Sequence, residues 1–433
     1  SRFRVGRAGN MFHLSLKVEK ARYNEAVQLM ARLLVDVEFS VERLQIAAKR
    51  MLNDVPNHKR NGKGLMRLAM SACDFSDDCA VGTTSVFRVE TLLKAVVEDS
   101  AVLGLVASEL VGLRSALLAA GGQARVGGDV VSLGDVLSPW TVGPWAARGG
   151  GGYGAASAPR PAVSRELHAL DALRPADGTT IGCLITSSAE ESNYWLLERS
   201  SFSDPRSPDL PPLLVAIEYI TALEGPFWRQ IRGKGYAYSY GLSHDLDAGK
   251  LTFRLFKATN PVAAYEAAES IVRKLCAEGP PEDLEEGVDM EEDDEDDVGL
   301  DPTALEAAQS GVLFGLIEPV DTVPGAMGEA FGNMLERCPP DQLQWLLKAV
   351  QSVTEDSVRA AMQKHILPLF DGSAGRTVSM VAPAQKRAEL EEAVAKLEPP
   401  MKVLHLDVDA FVTALSAAGG FAEFRRRLRG LAP

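Results

Sequence analysis

Apolar and polar positions alternate at Phe12, Leu14, Leu16 and Val18, which predicts a strand. The period then changes. Tyr23, Ala26, Val27, Met30, Leu33 and Leu34 recur on one helical face, and Ser40 reads as the N-cap of a second helix that buries Leu44, Ala47, Ala48 and Met51. The stretch 54–64 holds Pro56 and Gly62 and reads as a polar break. Helices follow at 65–73, 89–97 and 101–119, Gly121 and Gly122 end the run, and 124–131 predicts a short closing strand.

A second series begins at 181–187 with a strand, and Leu214, Ile217, Ile220 and Leu223 mark a helix. The glycine- and aromatic-rich segment 225–241 comes next, then a strand carried by Leu251, Phe253 and Leu255. Asn260 with Pro261 opens a helix whose inward stripe is Val262, Tyr265, Ala268, Val272 and Leu275. Helical patterns at 304–315, 325–336, 340–350 and 355–365, a strand at 377–381, and helices at 385–397 and 409–428 complete the chain.

This order predicts an α/β fold of the sandwich type: two homologous α/β domains, each a mainly antiparallel sheet covered by helices. The first domain spans 1–143, a Gly/Pro-rich linker 144–178, and the second domain 179–433. The chain opens on Ser1 and reaches strand within a few residues, as expected of a domain entered partway through. Gly149, Gly151 and Gly154 formally match GxGxxG, but Pro144, Pro159 and Pro161 stand where a phosphate-binding loop needs a strand and a helix.

Charge changes the picture at one place. The 433 residues carry a formal charge of −14, and residues 277–301 hold fourteen acids with no Lys or Arg, so this insertion accounts for the whole excess. It reads as a disordered, solvated loop, with a basic protein partner such as a histone as the other reading. The folded remainder is neutral, and nothing in it calls for a nucleic-acid partner. Five scattered cysteines, Cys73, Cys79, Cys183, Cys276 and Cys338, read as reduced thiols of an intracellular protein, cytoplasmic or organellar. The longest aliphatic stretch, 101–120, is broken by Glu109, Gly112, Arg114 and Ser115, so no membrane-spanning helix and no membrane partner are expected.

Candidate chemistry narrows by elimination. None of His13, His58, His168, His244, His365 and His405 stands in HExxH or HxxEH, the spacings that put two imidazoles and a carboxylate on one helix face. GxSxG, P-loop and CxxC patterns are absent from the sequence. His405, Asp407 and Asp409 would share one face of a strand, but a His beside surface acids reads first as solvated. The acids of 277–301 lack the alternation and central Gly of a calcium loop.

One segment is specific. Gly225-Pro226-Phe227-Trp228-Arg229-Gln230-Ile231-Arg232-Gly233-Lys234-Gly235-Tyr236-Ala237-Tyr238 resembles a signature of the C-terminal half of insulinase/pitrilysin zinc metallopeptidases, in the presequence-protease-like branch. The stretch 251–275 with Asn260-Pro261, and the first domain with Phe39, Arg43, Leu44 and Lys59-Arg60-Asn61-Gly62, are similar to that branch as well. The resemblance covers roughly residues 11–135 and 180–400.

The resemblance implies two halves closing around a chamber. The N-terminal half carries zinc on HxxEH, and the second half is silent in zinc chemistry but supplies an Arg and a Tyr that hold the peptide substrate. On this chain the pair maps to Arg232 and Tyr238, or in the insulinase spacing to Arg229 and Tyr236. A guanidinium donates two hydrogen bonds to a carbonyl or carboxylate, and a phenol donates to a developing oxyanion. No catalytic zinc residue and no metal site are expected here, and zinc is expected in the missing half. The chain alone is expected to be inactive, with a peptide and a zinc-bearing half, fused or separate, as partners. The alternative is a catalytically inactive structural subunit of the same fold.

Overall fold

A computed structural model describes residues 2–8, 11–77, 79–119, 124–142, 173–246, 248–277, 300–335, 338–417 and 419–431. The linker reading for 144–172 and the acidic insertion at 278–299 lie outside these residues. The chain divides into two compact units, Ser1–Val55 with Thr83–Leu167, and Pro56–Gly82 with His168–Pro433.

Unit 1 opens with an antiparallel hairpin, β1 (Arg2–Ala8) and β2 (Met11–Lys17). Helix α1 (Tyr23–Val35) follows and buries Ala26, Val27 and Ala31. Its first residue is tied down by side-chain bonds, Tyr23 Oη donating to Val136 O at 2.9 Å and accepting from Trp140 Nε1 at 2.8 Å. Helix α2 (Val41–Lys59) begins where Ser40 Oγ accepts from Arg43 N at 3.3 Å. The expected break at 54–64 shrinks to Arg60 and Asn61. Pro56 falls in the last turn of α2, where its missing N–H costs a single intrahelical bond.

Helix α3 (Gly62–Asp74) starts at once, with Asn61 Oδ1 accepting from Gly64 N at 2.9 Å. It leads through the short α4 (Ala80–Thr84) back to unit 1, to α5 (Val86–Glu98) and α6 (Ser100–Ala119). A small cluster of Ala48, Val96 and Leu103 joins α2, α5 and α6. The expected strand at 124–131 is not formed: that stretch is coil with Gly128 at φ 141° and an adjoining 3₁₀ turn, Val131–Leu133. An alternating pattern without a neighbouring strand has no ladder to join.

Helix α6 corrects another expectation. By length and composition alone it is long and apolar enough to cross a membrane, and Leu103 is its one buried side chain. Glu109 and Arg114 do not offset the surrounding Leu, Val and Ala.

Unit 2 is built on a six-stranded sheet. Its strands are β3 (Thr180–Ser187), β4 (Asn193–Ser200), β5 (Ala237–Asp245), β6 (Lys250–Ala258), β7 (Arg376–Pro383) and β8 (Met401–Asp407), in the order β5-β6-β4-β7-β3-β8. The pairings of β3 with β7 and β8 are parallel and the other three antiparallel. One face receives α7 (Leu210–Thr221) and α8 (Pro261–Cys276), the latter started by Asn260 Oδ1 accepting from Ala263 N at 3.1 Å. Helices α9 (Pro302–Ile317), α11 (Gln342–Gln351) and α12 (Glu355–Ala361) pack against α7, α10 (Val323–Leu335) follows α9 in the chain, and α13 (Leu367–Phe370) packs against α8 and β4. Trp195, Phe227, Phe253, Tyr265 and Phe370 form the aromatic centre, with Phe253 and Phe370 edge to face at 5.1 Å.

The fully buried Arg376 is held in this centre by four hydrogen bonds, while its Nη2 finds no partner among the described residues. It donates to Thr180 Oγ1 at 2.8 Å, Tyr265 Oη at 2.8 Å, Leu369 O at 3.0 Å and Phe370 O at 2.8 Å. The last elements are α14 (Arg387–Ala395), α15 (Val408–Ser416) and α16 (Gly420–Arg429).

The opposite sheet face is covered by α3. Residues 56–82, read from the sequence as part of 1–143, therefore group with unit 2. The reason is burial: Leu65, Met66, Ala69, Met70, Ala72 and Cys73 are all inaccessible, and Ser379 Oγ of β7 donates to Met66 O at 2.9 Å. Gly62 N donates to Glu190 Oε1 at 2.5 Å, and a Cβ at Gly62 would sit 2.8 Å from the Tyr194 ring, so the helix start lies directly on β4.

Candidate functional site

The segment 225–241 joins α7 to the edge strand β5. It turns through a π-helical stretch, Trp228–Gly233, a geometry that concentrates at functional sites. Phe227 and Ile231 point inward and anchor it in the aromatic centre. Tyr236 N donates to Ile231 O at 2.9 Å, and Gly235, at φ 74°, supplies the left-handed turn between them. Thr259 closes the far side through Oγ1 to Gly235 O at 2.6 Å and N to Tyr236 O at 2.9 Å.

This anchoring turns the Arg232 and Tyr238 side chains outward and together. The guanidinium lies 5.1 Å from the centre of the Tyr238 ring, and Tyr238 is 65% exposed. In the other register, Arg229 is exposed, while Tyr236 packs half-buried against the core. Tyr240, two residues along β5, meets Phe227 edge to face at 5.9 Å, and its burial raises the phenol's pKa against the opposing effect of Arg232. Arg232 and Tyr238 thus form an exposed donor pair at the start of a sheet edge.

The α3-covered face of the same strands holds a second group of charges, unseen in the sequence because α3 and β6 lie far apart along it. Lys250 Nζ bonds Asp74 Oδ1 at 2.7 Å, both nearly buried. Glu198 lies beside them and accepts from Thr252 Oγ1 at 3.1 Å. Burial first, then the Asp74 charge, raises the Glu198 pKa well above the usual carboxylate range. Asp74, Glu198, Asp245 and Lys250 line a cavity of about 250 Å³ together with Arg67.

The considered metal ligands are used separately. His405 Nε2 lies 2.9 Å from Thr186 Oγ1, Asp407 Oδ1 accepts from Ala410 N at 2.7 Å as the cap of α15, and Asp409 pairs with Lys59 at 2.9 Å. Among the described residues no group of three His, Cys, Asp or Glu could hold a metal ion. All five cysteines are buried, and none is in a disulfide. Burial pushes the Cys183 thiol up to about 12.

No family model matches the chain. An uncharacterized protein of Saccharomyces cerevisiae is 23% identical over 378 residues, covering 85% of this chain and 34% of the yeast protein. An uncharacterized protein of Caenorhabditis elegans is 23% identical over 369 residues, covering 83% of this chain and 33% of its own length. The chain thus spans about a third of the curated relatives it matches.

Among solved structures, a protease from Helicobacter pylori superposes with a TM-score of 0.55 at 7% identity, covering 88% of this chain and 82% of that one. An inactive domain of an M16 peptidase from Pseudomonas fluorescens gives 0.52 at 15% identity, with coverages of 88% and 81%. The periplasmic protease PqqL of Escherichia coli gives 0.55 at 12% identity, covering 88% of this chain and 37% of that one. These likenesses show the fold: mixed α/β, of the kind found in insulinase-like M16 peptidase domains.

Proposed function

We propose that this chain is the zinc-free half of a two-half metallopeptidase of the presequence-protease-like branch, holding a peptide against a catalytic half that lies outside it. The observation that carries the reading is the outward Arg232–Tyr238 pair, presented by a buried π-helical anchor at the start of an edge strand. The fold likeness to M16 peptidase domains and the relatives' greater length support it.

The residues present do not fit a zinc site. The sequence has no HxxEH, and the described side chains offer no three-ligand group. The chain's own contribution is therefore to bind and orient. Arg232 donates to a peptide carbonyl or carboxylate. Tyr238 Oη donates to an oxygen that gains charge as the scissile carbonyl is attacked, where a fixed donor stabilises charge most effectively.

In the complete protein, Arg232→Ala and Tyr238→Phe are each expected to lower turnover of a quenched peptide by about 100-fold or more, the effect of losing one positioned donor. Both variants should keep the parent melting temperature. Parent-like turnover in both would refute the assignment. The isolated 433-residue chain is expected to be inactive toward the same peptide.

A catalytically inactive structural subunit is the second reading. It is favoured by the Arg232–Tyr238 stack itself, which is satisfied without substrate. On that reading both variants leave turnover unchanged and weaken only assembly with the partner half, read by analytical ultracentrifugation.

A further inference from the structure

The sheet of unit 2 ends on β5, which among the described residues pairs only with β6. Alternate residues of such a strand turn N–H and C=O groups outward, open to another strand. Proteins usually blunt such an edge with Pro, Lys or an inward charge, yet β5 runs nine residues, Ala-Tyr-Ser-Tyr-Gly-Leu-Ser-His-Asp, without Pro, Lys or Arg. Its residues turned toward α3 include Ser239, Gly241 and Ser243, all small.

Arg254 of β6 reaches across into the space these residues leave. Its guanidinium lies flat on Gly241, where a Cβ would stand 2.5 Å from Cζ, and Nη1 donates to Ser243 Oγ at 3.2 Å. From α3, Lys63 Nζ and the Arg67 guanidinium stand 4.6 and 5.7 Å from the centre of the neighbouring Phe256 ring. None of the three cations forms a salt bridge among the described residues, whereas the drier Lys250 of the same face is matched by Asp74. Burial and the nearby Arg67 lower the proton affinity of Arg254, as a cation lacking a counter-charge requires.

We propose that the free edge of β5 accepts an extended peptide as an added strand, and that Arg254, Arg67 and Lys63 select acidic side chains on the face of that strand turned toward α3. This deepens the peptide-holding reading above and rests on it. Side chains two residues apart share one face of a strand, so the preferred segment carries Asp or Glu at every second position. Its other face runs past Arg232 and Tyr238. The backbone ladder supplies sequence-independent affinity, and the cations supply the preference.

The test is fluorescence anisotropy of the full chain with a labelled peptide of Glu alternating with Thr, beside versions with Gln or Lys in place of Glu. The Glu peptide is expected to bind at least 10-fold more tightly than either. The exposed pair Lys63→Glu with Arg67→Glu should reverse the preference toward the Lys peptide, and Arg254→Gln should weaken Glu-peptide binding about 10-fold. N-methylation of alternate amides should abolish binding. Equal affinity for the three peptides, or an unchanged preference in the charge-reversed variant, would overturn the selection by charge. Full binding by the N-methylated peptide would overturn strand addition. This assay reads binding by the chain alone, whereas Arg232→Ala reads turnover of the whole protein, so either reading can fail without the other.

Discussion

Helices α6 and α7 are both chiefly aliphatic and meet opposite fates. Helix α7 of unit 2 buries Leu210, Leu213, Val215, Ala216, Tyr219 and Ile220, while α6 of unit 1 buries Leu103 alone. The difference lies in what each unit offers a helix to lie on. Unit 2 has a six-stranded sheet with an inner face of Trp195, Leu197, Phe253 and Leu255, whereas the described strands of unit 1 form one hairpin. Apolar content supplies the tendency to leave water, but the amount buried is set by the partner surface.

The strongest test removes a large side chain from the well-covered region. Phe253→Ala in β6 should cost about 3–5 kcal/mol, since the ring is fully buried against Phe227 and Phe370 and the surrounding sheet cannot collapse into the gap. Urea unfolding followed by tryptophan fluorescence reads this directly, because Trp195 sits in the same core. A loss under about 1 kcal/mol would break the contrast between the two units.

Charge on the α3-covered face gives the next largest effect. Lys250→Met leaves Asp74 buried beside Glu198 with no cation, and should cost about 3 kcal/mol. Glu198→Gln should cost less than about 1 kcal/mol, because burial and the Asp74 charge favour the neutral carboxyl, which an amide replaces in shape and charge. Equal losses in the two variants would show that Glu198 is ionised in the fold. Double-mutant unfolding curves check this.

Acid titration comes third. His244 Nε2 donates to Phe202 O at 3.1 Å on the core side of β5, and burial pushes its pKa down to about 4. The unfolded chain takes up a proton below the usual value near 6.5 and the folded one does not until about 4. Stability therefore falls as pH drops through that window, by about 2–3 kcal/mol in all. Burial lowers His365 as well, and both rings meet Phe202, at 4.4 and 5.0 Å. His244→Phe should flatten the pH dependence between 6.5 and 4 relative to the parent; an unchanged profile would mean that the His244 ring is solvated.

The contrast between the units also explains what could be read from the sequence. Helix α8 was legible because its start is local chemistry, Asn260 and Pro261, and its stripe faces one side. Strand β4 was missed because both its faces are covered, so Tyr194, Trp195, Leu196 and Leu197 run apolar without alternation. Strand β8 was missed because seven residues after a Pro-Pro step carry too little pattern. Residues 56–82 were placed with the wrong unit because nothing local tells a helix which sheet it will cover. The Arg232–Tyr238 pair was legible through resemblance alone, since its spacing has no meaning until the π-helical turn brings the two side chains together. The cations around Gly241 left a single cue, a glycine inside a strand, which often marks close approach of another group.

The smallest predicted effect is the sharpest check on unit 1. Leu105 is 66% exposed and Leu113 is 55% exposed on α6, so replacing both with Ser removes little buried surface. The expected change in stability stays within about 0.5 kcal/mol per site, the ordinary range for surface positions, plus a small helix-propensity cost. The same pair should lower the chain's tendency to self-associate or to adsorb to lipid vesicles, because an exposed row of Leu and Val is the kind of patch that binds apolar surface. A loss of about 2 kcal/mol or more, the cost of emptying a core position, would mean that α6 is covered in solution by apolar surface of this chain or of a second copy. Dilution series of the unfolding midpoint would then separate the two, since only cover by a second copy makes the midpoint depend on concentration.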